Sequence, residues 1–256
     1  MLSELLAGAI ADAEERRVHR PFADVESAAH DRPAALDALA ALAPADHVKI
    51  IAEIKRASPS RGELADIVDP AALAASYEAG GASAISVLTE GRRFRGTLAD
   101  LEQVRAAATI PVLRKDFIGT PYQVLEARAA GADLVLLIVA ALDQATLLSL
   151  HDLIRDLGMT ALVETHSGDE VNRALDIGAS LVGVNARNLS TFTLDQDLFG
   201  SLADRIPSGV VRVAESAVKT AADVAHYRSA GADVVLVGEA LVTSDPIRTL
   251  SEFLAV

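Results

Sequence analysis

Cysteine and tryptophan are absent from the 256-residue chain, and so are long apolar runs. Without cysteine there is no disulfide framework and no thiolate nucleophile, which excludes disulfide-stapled domains and thiol chemistry. The longest uninterrupted apolar run, Leu134 to Leu142, is far shorter than the ~20 residues that a membrane-spanning helix needs. The first residues, Met1 to Leu6, lack the cationic start of a signal peptide, so we expect a cytoplasmic protein that does not bind a membrane.

Positive charge is also in short supply, since the formal net charge is −13 at pH 7. We do not expect a chain this acidic to bind nucleic acid, because phosphate contacts need clustered cations. The four lysines are Lys49, Lys55, Lys115 and Lys219, and arginine supplies the other positive charges. Lys55 and Lys115 directly follow apolar runs, where a compact, titratable ammonium favours chemistry over simple charge pairing.

Eight short apolar runs alternate with helical segments from residue 50 onward. Strands that are apolar on both faces and alternate with helices indicate a parallel sheet with helices packed on it. The predicted strands are Ile50–Ile54, Ala84–Leu88, Pro111–Leu113, Leu134–Ile138, Thr160–Val163, Leu181–Val184, Val210–Ala214 and Val234–Val237.

A Gly-Ala pair precedes every second predicted strand, at Gly81, Gly131, Gly178 and Gly231. Glycine there supplies the left-handed residue that ends a helix. Four such double units predict eight βα units, which fit a single α/β domain with the closed (β/α)₈ architecture of a TIM barrel over residues 49–256. A doubly wound open sheet is less favoured, because no Gly-x-Gly-x-x-Gly turn follows the first strand.

Residues 1–48 precede the first strand and predict a helical extension packed on the barrel. We expect two amphipathic helices separated at Pro21-Phe22. Pro33 is expected near the start of the second helix and Pro44 after its end.

The first predicted strand ends in charge, with Glu53 and Lys55 at its exit. Such side chains are almost never buried unless they are paired or functional. Because strand side chains alternate, these two face the same side of the sheet. Ser58-Pro59-Ser60 then turns the chain into a loop. One short segment therefore delivers a carboxylate, an ammonium and two hydroxyls to one place.

Polar residues follow seven of the eight predicted strands, and active sites of barrels form at this face. A single polar residue at a strand end is more often a helix cap or a loop group, but seven together favour an active site. The fourth strand ends in apolar Val139-Ala140-Ala141. Besides Glu53 and Lys55, the candidates are Thr89 and Glu90, Arg114, Lys115 and Asp116, Glu164, Asn185 and Arg187, Glu215 and Ser216, and Gly238 and Glu239.

Two of these candidates have a predicted electrostatic character. Glu164 directly follows an apolar run, so we expect a half-buried carboxyl group with a raised pKa. Asp116 is expected to pair with a neighbouring cation rather than to react. His151, His166 and His226 have no metal-ligand spacing, and we predict no metal site.

The last two strand exits predict an anion site. Ser216-Ala217 and Gly238-Glu239 are expected at helix starts, where free backbone N–H groups and the helix dipole bind phosphate. The Glu239 side chain must then point away from the phosphate. From the residues alone we predict a small phosphorylated substrate, lysine and glutamate acid–base chemistry, and no cofactor.

Five segments, in this order, resemble indole-3-glycerol phosphate synthase of tryptophan biosynthesis. The resemblance runs from about residue 49 to the end of the chain, and residues 1–48 resemble the family's extension over the barrel. The segments are Ile51–Ser60 (IAEIKRASPS), Pro111–Phe117 (PVLRKDF), Leu162–Glu164 (LVE), Gly183–Leu189 (GVNARNL) and Ala214–Ser216 (AES).

The resemblance implies a reaction and a set of roles. The reaction is ring closure of 1-(2-carboxyphenylamino)-1-deoxyribulose 5-phosphate to indole-3-glycerol phosphate, with loss of carbon dioxide and water. Lys115 would be the general acid that protonates the substrate ketone, Lys55 would hold the substrate carboxylate, and Glu164 would act in the dehydration. The pKa of Lys115 stays open at this point, because neighbouring cations would lower it and neighbouring carboxylates would raise it.

The remaining implied roles concern positioning and binding. Glu53 would orient the lysines and the departing hydroxyl, with Asn185 and Glu215 as hydrogen-bonding positioners. The implied substrate-binding residues are Ser58, Phe94, Phe117, Arg187 and Ser216, with the two phenylalanines lining the anthranilate slot. The implied phosphate-binding residues are Lys55, Ser216, Ala217, Gly238 and Glu239.

Ala217 departs from the family pattern, which usually reads Ala-Glu-Ser-Gly after the seventh strand. If the backbone needs a positive φ there, alanine costs about 1 kcal/mol. We expect a modestly weaker grip on phosphate rather than a loss of activity.

Two other interpretations stay open. A related sugar-phosphate isomerase would need a different acid–base pair at the first strand than Glu53 and Lys55. A non-catalytic barrel that binds an anthranilate-like ligand would not need Glu53, Lys55, Lys115, Glu164 and Asn185 together, since site residues rather than the fold carry function. In each case we expect a small-molecule partner and a monomer or weak homo-oligomer.

Overall fold

The computed structural model describes residues 1–188 and 193–256, and within them the chain forms a closed barrel of eight parallel strands. Leu189, the last residue of the GVNARNL segment, lies outside the described residues. The barrel strands are β1 (Lys49–Ile54), β4 (Ala84–Leu88), β5 (Val112–Lys115), β6 (Leu134–Ile138), β7 (Thr160–Thr165), β8 (Leu181–Asn185), β9 (Val211–Glu215) and β10 (Val234–Val237). Two further short strands, β2 (Ala57–Ser58) and β3 (Gly62–Glu63), lie outside the barrel.

The barrel closes because β1 pairs with both β4 and β10, and each other barrel strand pairs with its neighbours in the order of the chain. β2 and β3 stand apart as a short antiparallel hairpin. The predicted (β/α)₈ barrel is confirmed. Ser58-Pro59-Ser60 was predicted to turn the chain into a loop. In the structure the chain folds back there, and Ala57 and Ser58 pair with Glu63 and Gly62.

Twelve α-helices are described in residues 1–188 and 193–256, and most of them cover the outside of the barrel. Gly81, Gly131, Gly178 and Gly231 have φ between 77° and 96°, the left-handed conformation predicted for them. The helices are α1 (Leu2–His19), α2 (Phe22–His30), α3 (Ala38–Ala41), α4 (Pro70–Ala79), α5 (Leu98–Ala107), α6 (Pro121–Ala130), α7 (Gln144–Asp156), α8 (Gly168–Asp176), α9 (Leu198–Ala203), α10 (Ala221–Ser229), α11 (Glu239–Val242) and α12 (Pro246–Leu254).

Two hydrophobic cores follow from the alternation of strand side chains. Outward-facing residues such as Ile50 and Ile85 pack against the helices. Inward-facing residues such as Ile51 and Leu162 fill the barrel, together with Leu42 from the N-terminal segment. Every barrel strand therefore has apolar residues on both faces, which is the pattern that predicted a parallel sheet.

The N-terminal extension differs from its prediction, because it contains three helices instead of two. Pro33 lies in the non-helical segment between α2 and α3, since proline disfavours helical backbone at the residue before it. The N–H of Leu36 in that segment donates to Asp133 at 2.8 Å. α3 begins only after Asp37, which accepts from the N–H of Ala40.

Contacts between α1 and α6 attach the extension to the barrel. Arg16 makes two hydrogen bonds to Glu126, at 2.6 and 2.8 Å. The hydroxyl of Tyr122 donates to the backbone oxygen of Arg20. These contacts favour the prediction that residues 1–48 and 49–256 form one domain overall, which stays a prediction.

Several strands run further than predicted, through their polar last residues. Lys115 pairs with Leu88 in the sheet, and Glu215 pairs with Asn185. Lys115, Asn185 and Glu215 therefore lie on hydrogen-bonded strands rather than on loops, and the sheet limits their movement. No helix in the described ranges is both long and apolar enough to cross a membrane.

Candidate active site

One cavity, at the carboxyl ends of the barrel strands, brings together every residue to which the resemblance gives a role. Both apolar and charged side chains line it. The predicted residues that line it are Glu53, Lys55, Ser58, Phe94, Lys115, Phe117, Glu164, Asn185, Arg187, Glu215, Ser216, Ala217, Gly238 and Glu239. Thr89 and Glu90, which are also strand-end candidates, are not among the lining residues.

Lys115 stands at the centre of three buried carboxylates. Its Nζ lies 3.2 Å from Oε2 of Glu215, 3.5 Å from Oε2 of Glu164 and 4.0 Å from Oε2 of Glu53. Burial by itself would lower the pKa of Lys115, but Glu215, Glu164 and Glu53 outweigh burial and raise this pKa well above its usual value. The sequence left the direction of the Lys115 pKa shift open. The structure gives a raised pKa, so Lys115 is a stable ammonium.

Glu53 and Lys55 form a close ion pair, with 2.6 Å between Oε1 and Nζ. Burial tends to raise the pKa of Glu53, but the charges of Lys55 and Lys115 lower it below its usual value. Gly238 makes room for this pair, because a Cβ there would lie 2.6 Å from Glu53 Oε1 and 2.9 Å from Lys55 Nζ. Only glycine fits at that position without a shift of the pair.

Glu164 and Glu215 share Lys115 but differ in charge state. Burial raises the pKa of both carboxyls and Lys115 lowers both. His166 and Asn185 further lower the pKa of Glu164, to about 2, whereas the charge of Glu164 raises the pKa of Glu215 to about 8. The raised pKa predicted for Glu164 is therefore wrong, and it belongs to Glu215. Environments that push two pKa values apart separate a base from an acid.

Asn185 joins the exits of β8 and β9. Its Oδ1 accepts from the hydroxyl of Ser216 at 2.8 Å and from the backbone N–H of Arg187 at 3.0 Å. These bonds orient the side-chain amide, and Asn185 helps to lower the pKa of Glu164.

An apolar wall faces the charged cluster. The rings of Phe94 and Phe117 lie 6.1 Å apart between centroids, and Leu5 of α1 joins them in the lining. Glu90 holds the loop that carries Phe94, because its carboxylate accepts from the N–H groups of Arg93 and Phe94 at 2.7 and 2.9 Å. Glu90 therefore shapes the cavity from behind.

The exits of β9 and β10, where the anion site was predicted, line one side of the cavity. Ser216 and Ala217 both have positive φ, 70° and 60°. They do not start a helix, contrary to the prediction, because α10 begins at Ala221 behind a capping box that Thr220 forms. α11 does begin at Glu239, whose side chain pairs with Arg61 and so is held away from the backbone N–H groups.

Several lining residues were missed from the sequence. Besides Leu5, Lys219 and Leu194, they are the apolar residues Leu88, Leu136, Ile138, Val218 and Leu236. Leu5 and Leu194 come from segments that carry no local signal of a site. Lys219 did carry one, because lysine is scarce and three of the four lysines line this cavity. His166, considered only as a metal ligand, contacts Glu164 instead. In the part of the chain that is described, no group of three or more His, Cys, Asp or Glu is placed to hold a metal ion.

A lysine surrounded by three glutamate carboxyl groups at the carboxyl face of a (β/α)₈ barrel is typical of an enzyme that uses acid–base chemistry. A family model described as indole-3-glycerol phosphate synthase matches residues 2–252, and the chain belongs to this family. Membership makes it a lyase of tryptophan biosynthesis, as the resemblance predicted.

Relatives agree with the family model over almost the whole chain. An indole-3-glycerol phosphate synthase of Leifsonia xyli subsp. xyli is 72% identical over 253 residues, which cover 99% of this chain and 97% of the relative. One of Rhodococcus jostii is 56% identical over 253 residues, covering 98% and 94%.

The fold alone is shared more widely. A thiamine phosphate pyrophosphorylase of Pyrococcus furiosus superposes with a TM-score of 0.59 at 15% identity, over 80% of this chain and 93% of that one.

Proposed function

We propose that the chain carries out the synthase reaction, the conversion of 1-(2-carboxyphenylamino)-1-deoxyribulose 5-phosphate to indole-3-glycerol phosphate, with Lys115 as the general acid. The observation that carries this proposal is the contact of the Lys115 ammonium with three carboxylates from three different strands. Such a lysine is protonated at neutral pH, and its carboxyl neighbours fix its position.

The cavity offers a separate subsite for each part of this substrate. The aromatic ring packs against Phe94 and Phe117, which contact each other and line the cavity, and Lys55 binds the ring carboxylate. The phosphate binds to the backbone of Ser216-Ala217 and Gly238-Glu239. Lys55 lies against Gly238 and so contacts the phosphate as well as the carboxylate. Ser58 and Arg187 contact the substrate at the rim, where Arg187 also donates to Ser60.

Ring closure comes first. The ring carbon that bears the carboxylate attacks the ketone, and Lys115 gives its proton to the ketone oxygen as the new bond forms. The negative charge that develops on this oxygen is thereby neutralised in a buried site, where an unpaired charge is costly. Carbon dioxide then leaves, which restores the aromatic ring and frees Lys55 from its carboxylate partner.

Dehydration completes the indole ring. Glu164 is ionised and removes a proton from the ring carbon next to the nitrogen. The hydroxyl on the neighbouring carbon leaves as water after it receives a proton from an ammonium of the cluster. Glu53, which contacts Lys55 and lies near Lys115, orients both ammonium groups for these transfers.

Indole fluorescence on mixing the purified protein with this substrate tests the reaction. Wild type should form product, Lys115→Ala should form almost none, and Lys49→Ala should match wild type, since Lys49 does not line the cavity. Release of carbon dioxide, followed in the same samples, separates a synthase from an isomerase. A folded wild-type protein that binds the substrate without turnover would make the chain a binding protein and overturn the proposal.

A phosphate-free substrate analogue tests the anion subsite. It should bind more weakly than the natural substrate, and equal affinity would contradict the site at Ser216-Ala217 and Gly238-Glu239. The predicted cytoplasmic location and the predicted monomer or weak homo-oligomer are further proposals, the second of which light scattering on the purified protein tests.

A further inference from the structure

His166 directly follows β7 and lies between two carboxylates. Its Nε2 is 3.4 Å from Oε1 of Glu164, and its Nδ1 is 3.2 Å from Oε2 of Glu170 on α8. The backbone N–H of His166 donates to the same oxygen of Glu170 at 2.8 Å. The imidazole is mostly buried, with 13% of the side chain exposed.

Nδ1 makes a hydrogen bond with Glu170, whereas Nε2 lies at ion-pair distance from Glu164 without a hydrogen bond. A carboxylate oxygen near each nitrogen favours a ring that carries a proton on both. A neutral ring would direct the lone pair of one nitrogen at a carboxylate, which is unfavourable in a buried place. Burial lowers the pKa of His166, but Glu164 and Glu170 outweigh it and raise this pKa to about 10. The ring is therefore an imidazolium at neutral pH.

Other charged groups reach this pair from the neighbouring elements. On the far side of Glu164 lie Lys115 of β5 and Glu215 of β9, and Glu53 of β1 lies beyond Lys115. Arg205, which follows α9, packs against Gly168 in the first turn of α8.

The two oxygens of Glu164 have different partners. Oε2 faces Lys115, and Oε1 faces His166. A carboxylate that has a cation at each oxygen is held in one rotation and in its ionised state. Glu170 in turn fixes the ring of His166, much as outer carboxylates fix histidine ligands in metal sites.

We propose that His166 is a positioning residue, an imidazolium held by Glu170 that keeps Glu164 ionised and correctly oriented toward the substrate. This inference rests on the proposed function, in which Glu164 removes a proton. A simpler explanation is that Glu170 only caps α8 and His166 completes the cap. The cap does not explain why Nε2 faces Glu164, which belongs to the catalytic cluster and not to α8.

The charge of the ring is tested first, by nitrogen-15 NMR of the histidine side chains at pH 8. In wild type both ring nitrogens of His166 should be protonated, and in Glu164→Gln and Glu170→Gln the pKa of this ring should fall. His151 is the internal control, because burial lowers its pKa. A neutral His166 in wild type would overturn the inference without touching the proposed reaction.

The pH dependence of kcat tests the role. In His166→Gln, kcat should fall about tenfold, less than the roughly 10²–10⁴-fold that an acid–base group itself contributes, while KM changes little. Activity should also fall on the acid side at a higher pH than in wild type, because Glu164 then takes up a proton more readily. His166→Lys, which restores a cation, should recover part of the loss, and His151→Gln should behave as wild type.

A double-mutant cycle separates the inference from the function on which it rests. Adding His166→Gln to Glu164→Gln should change kcat no further, because the histidine acts through that carboxylate. Additive losses would make His166 merely structural, and the proposed function would stand. A fully active Glu164→Gln would instead remove Glu164 from the proposed mechanism. Circular dichroism and thermal unfolding check that each variant is folded.

Discussion

The two faces of β5 bury charge in two different ways. Lys115 points into the cavity, where its carboxylate neighbours lie at 3.2 to 4.0 Å. Arg114 points outward and is fully buried, with donors that reach Thr89, Gln123 and Asp116 at 2.7 to 3.2 Å. The two cations are adjacent on one strand. Lys115 is loosely surrounded by carboxyl groups, whereas Arg114 is tightly hydrogen-bonded.

The different surroundings of Lys115 and Arg114 show what distinguishes a catalytic charge from a structural one. Arg114 has a rigid fork of donors that cannot release a proton, and each donor has a fixed acceptor. Asp116 completes this network by accepting from Thr89 at 2.6 Å and from the N–H of Phe117 at 2.8 Å. Lys115 keeps a single transferable proton and opens onto a cavity. Both cations are buried. What separates their roles is that the donors of Arg114 have fixed acceptors, whereas Lys115 faces a cavity that can hold a substrate.

Replacing Lys115 with arginine should have the largest effect. The positive charge and the three carboxylate contacts would be kept, but a guanidinium does not give up its proton at neutral pH. We expect kcat to fall by roughly 10³-fold or more, near the upper range for the loss of a general acid, with a small change in stability. Single-turnover fluorescence measures the rate, and near-wild-type activity would show that charge alone is sufficient.

Replacing Arg114 with methionine should reverse this pattern. Asp116 would lose its cation while buried, and Glu126 would keep only Arg16. We expect the free energy of unfolding to fall by about 3–5 kcal/mol, the cost of breaking a buried ion pair. Urea unfolding measures it beside Lys115→Met, which should lose less stability and more activity. Equal loss of stability in the two variants would contradict the distinction between the two faces.

The split between Glu164 and Glu215 should appear in the pH dependence of stability. Glu215 has a pKa of about 8 in the folded protein and an ordinary value of 4.5, so the folded state holds the extra proton between these values. The stabilisation from this group is complete below 4.5 and is lost as the pH rises through about 8.

The pH dependence of stability that Glu164 contributes has the opposite sign, because its pKa is lowered in the folded protein. Its stabilisation is present above 4.5 and is lost as the pH falls toward about 2. Urea unfolding across this range should show that Glu215→Gln removes part of the alkaline decline, whereas Glu164→Gln removes part of the acid decline. Identical pH profiles for the two variants would show that the carboxyls are not split in this way.

Ala217→Gly should have the smallest effect. Ala217 has a φ of 60°, where a Cβ is strained and glycine is not. We expect a gain in stability of up to about 1 kcal/mol and a KM lower by a few fold, with kcat unchanged. Ala222→Gly, within α10, is the matched control and should cost about 1 kcal/mol. A higher KM in Ala217→Gly would mean that the alanine improves the phosphate subsite.

The sequence was sufficient for the barrel and for the choice of strand-end residues, because both follow from local periodicity. Alternation along Arg114, Lys115 and Asp116 already separated the lysine from its neighbours, and the structure confirms that Asp116 pairs with a cation. The capping box at Thr220 and Asp223 was readable as well, and would have moved the start of α10 away from Ser216-Ala217.

Other features depend on contacts between distant segments and have no local signal. The low pKa of Glu164 comes from Lys115 and His166 together, and only folding brings Lys115 to the carboxylate. Leu5 reaches the cavity from a helix at the other end of the chain from β9 and β10. Sequence patterns could therefore identify the residues at the strand ends, but neither the lining residues that come from distant segments nor the charge state that each residue adopts.

Gly238 lies against the Glu53–Lys55 pair, which places the active site across the seam where the barrel closes. β1 is the first strand of the barrel to leave the ribosome and β10 is the last. The segment between Lys55 and Gly238 takes on the order of 10–40 s to synthesise at typical rates. Until then the buried charges of β1 have no cover on that side. A nascent chain that stalls before β10 therefore has most of the fold's residues and no working site.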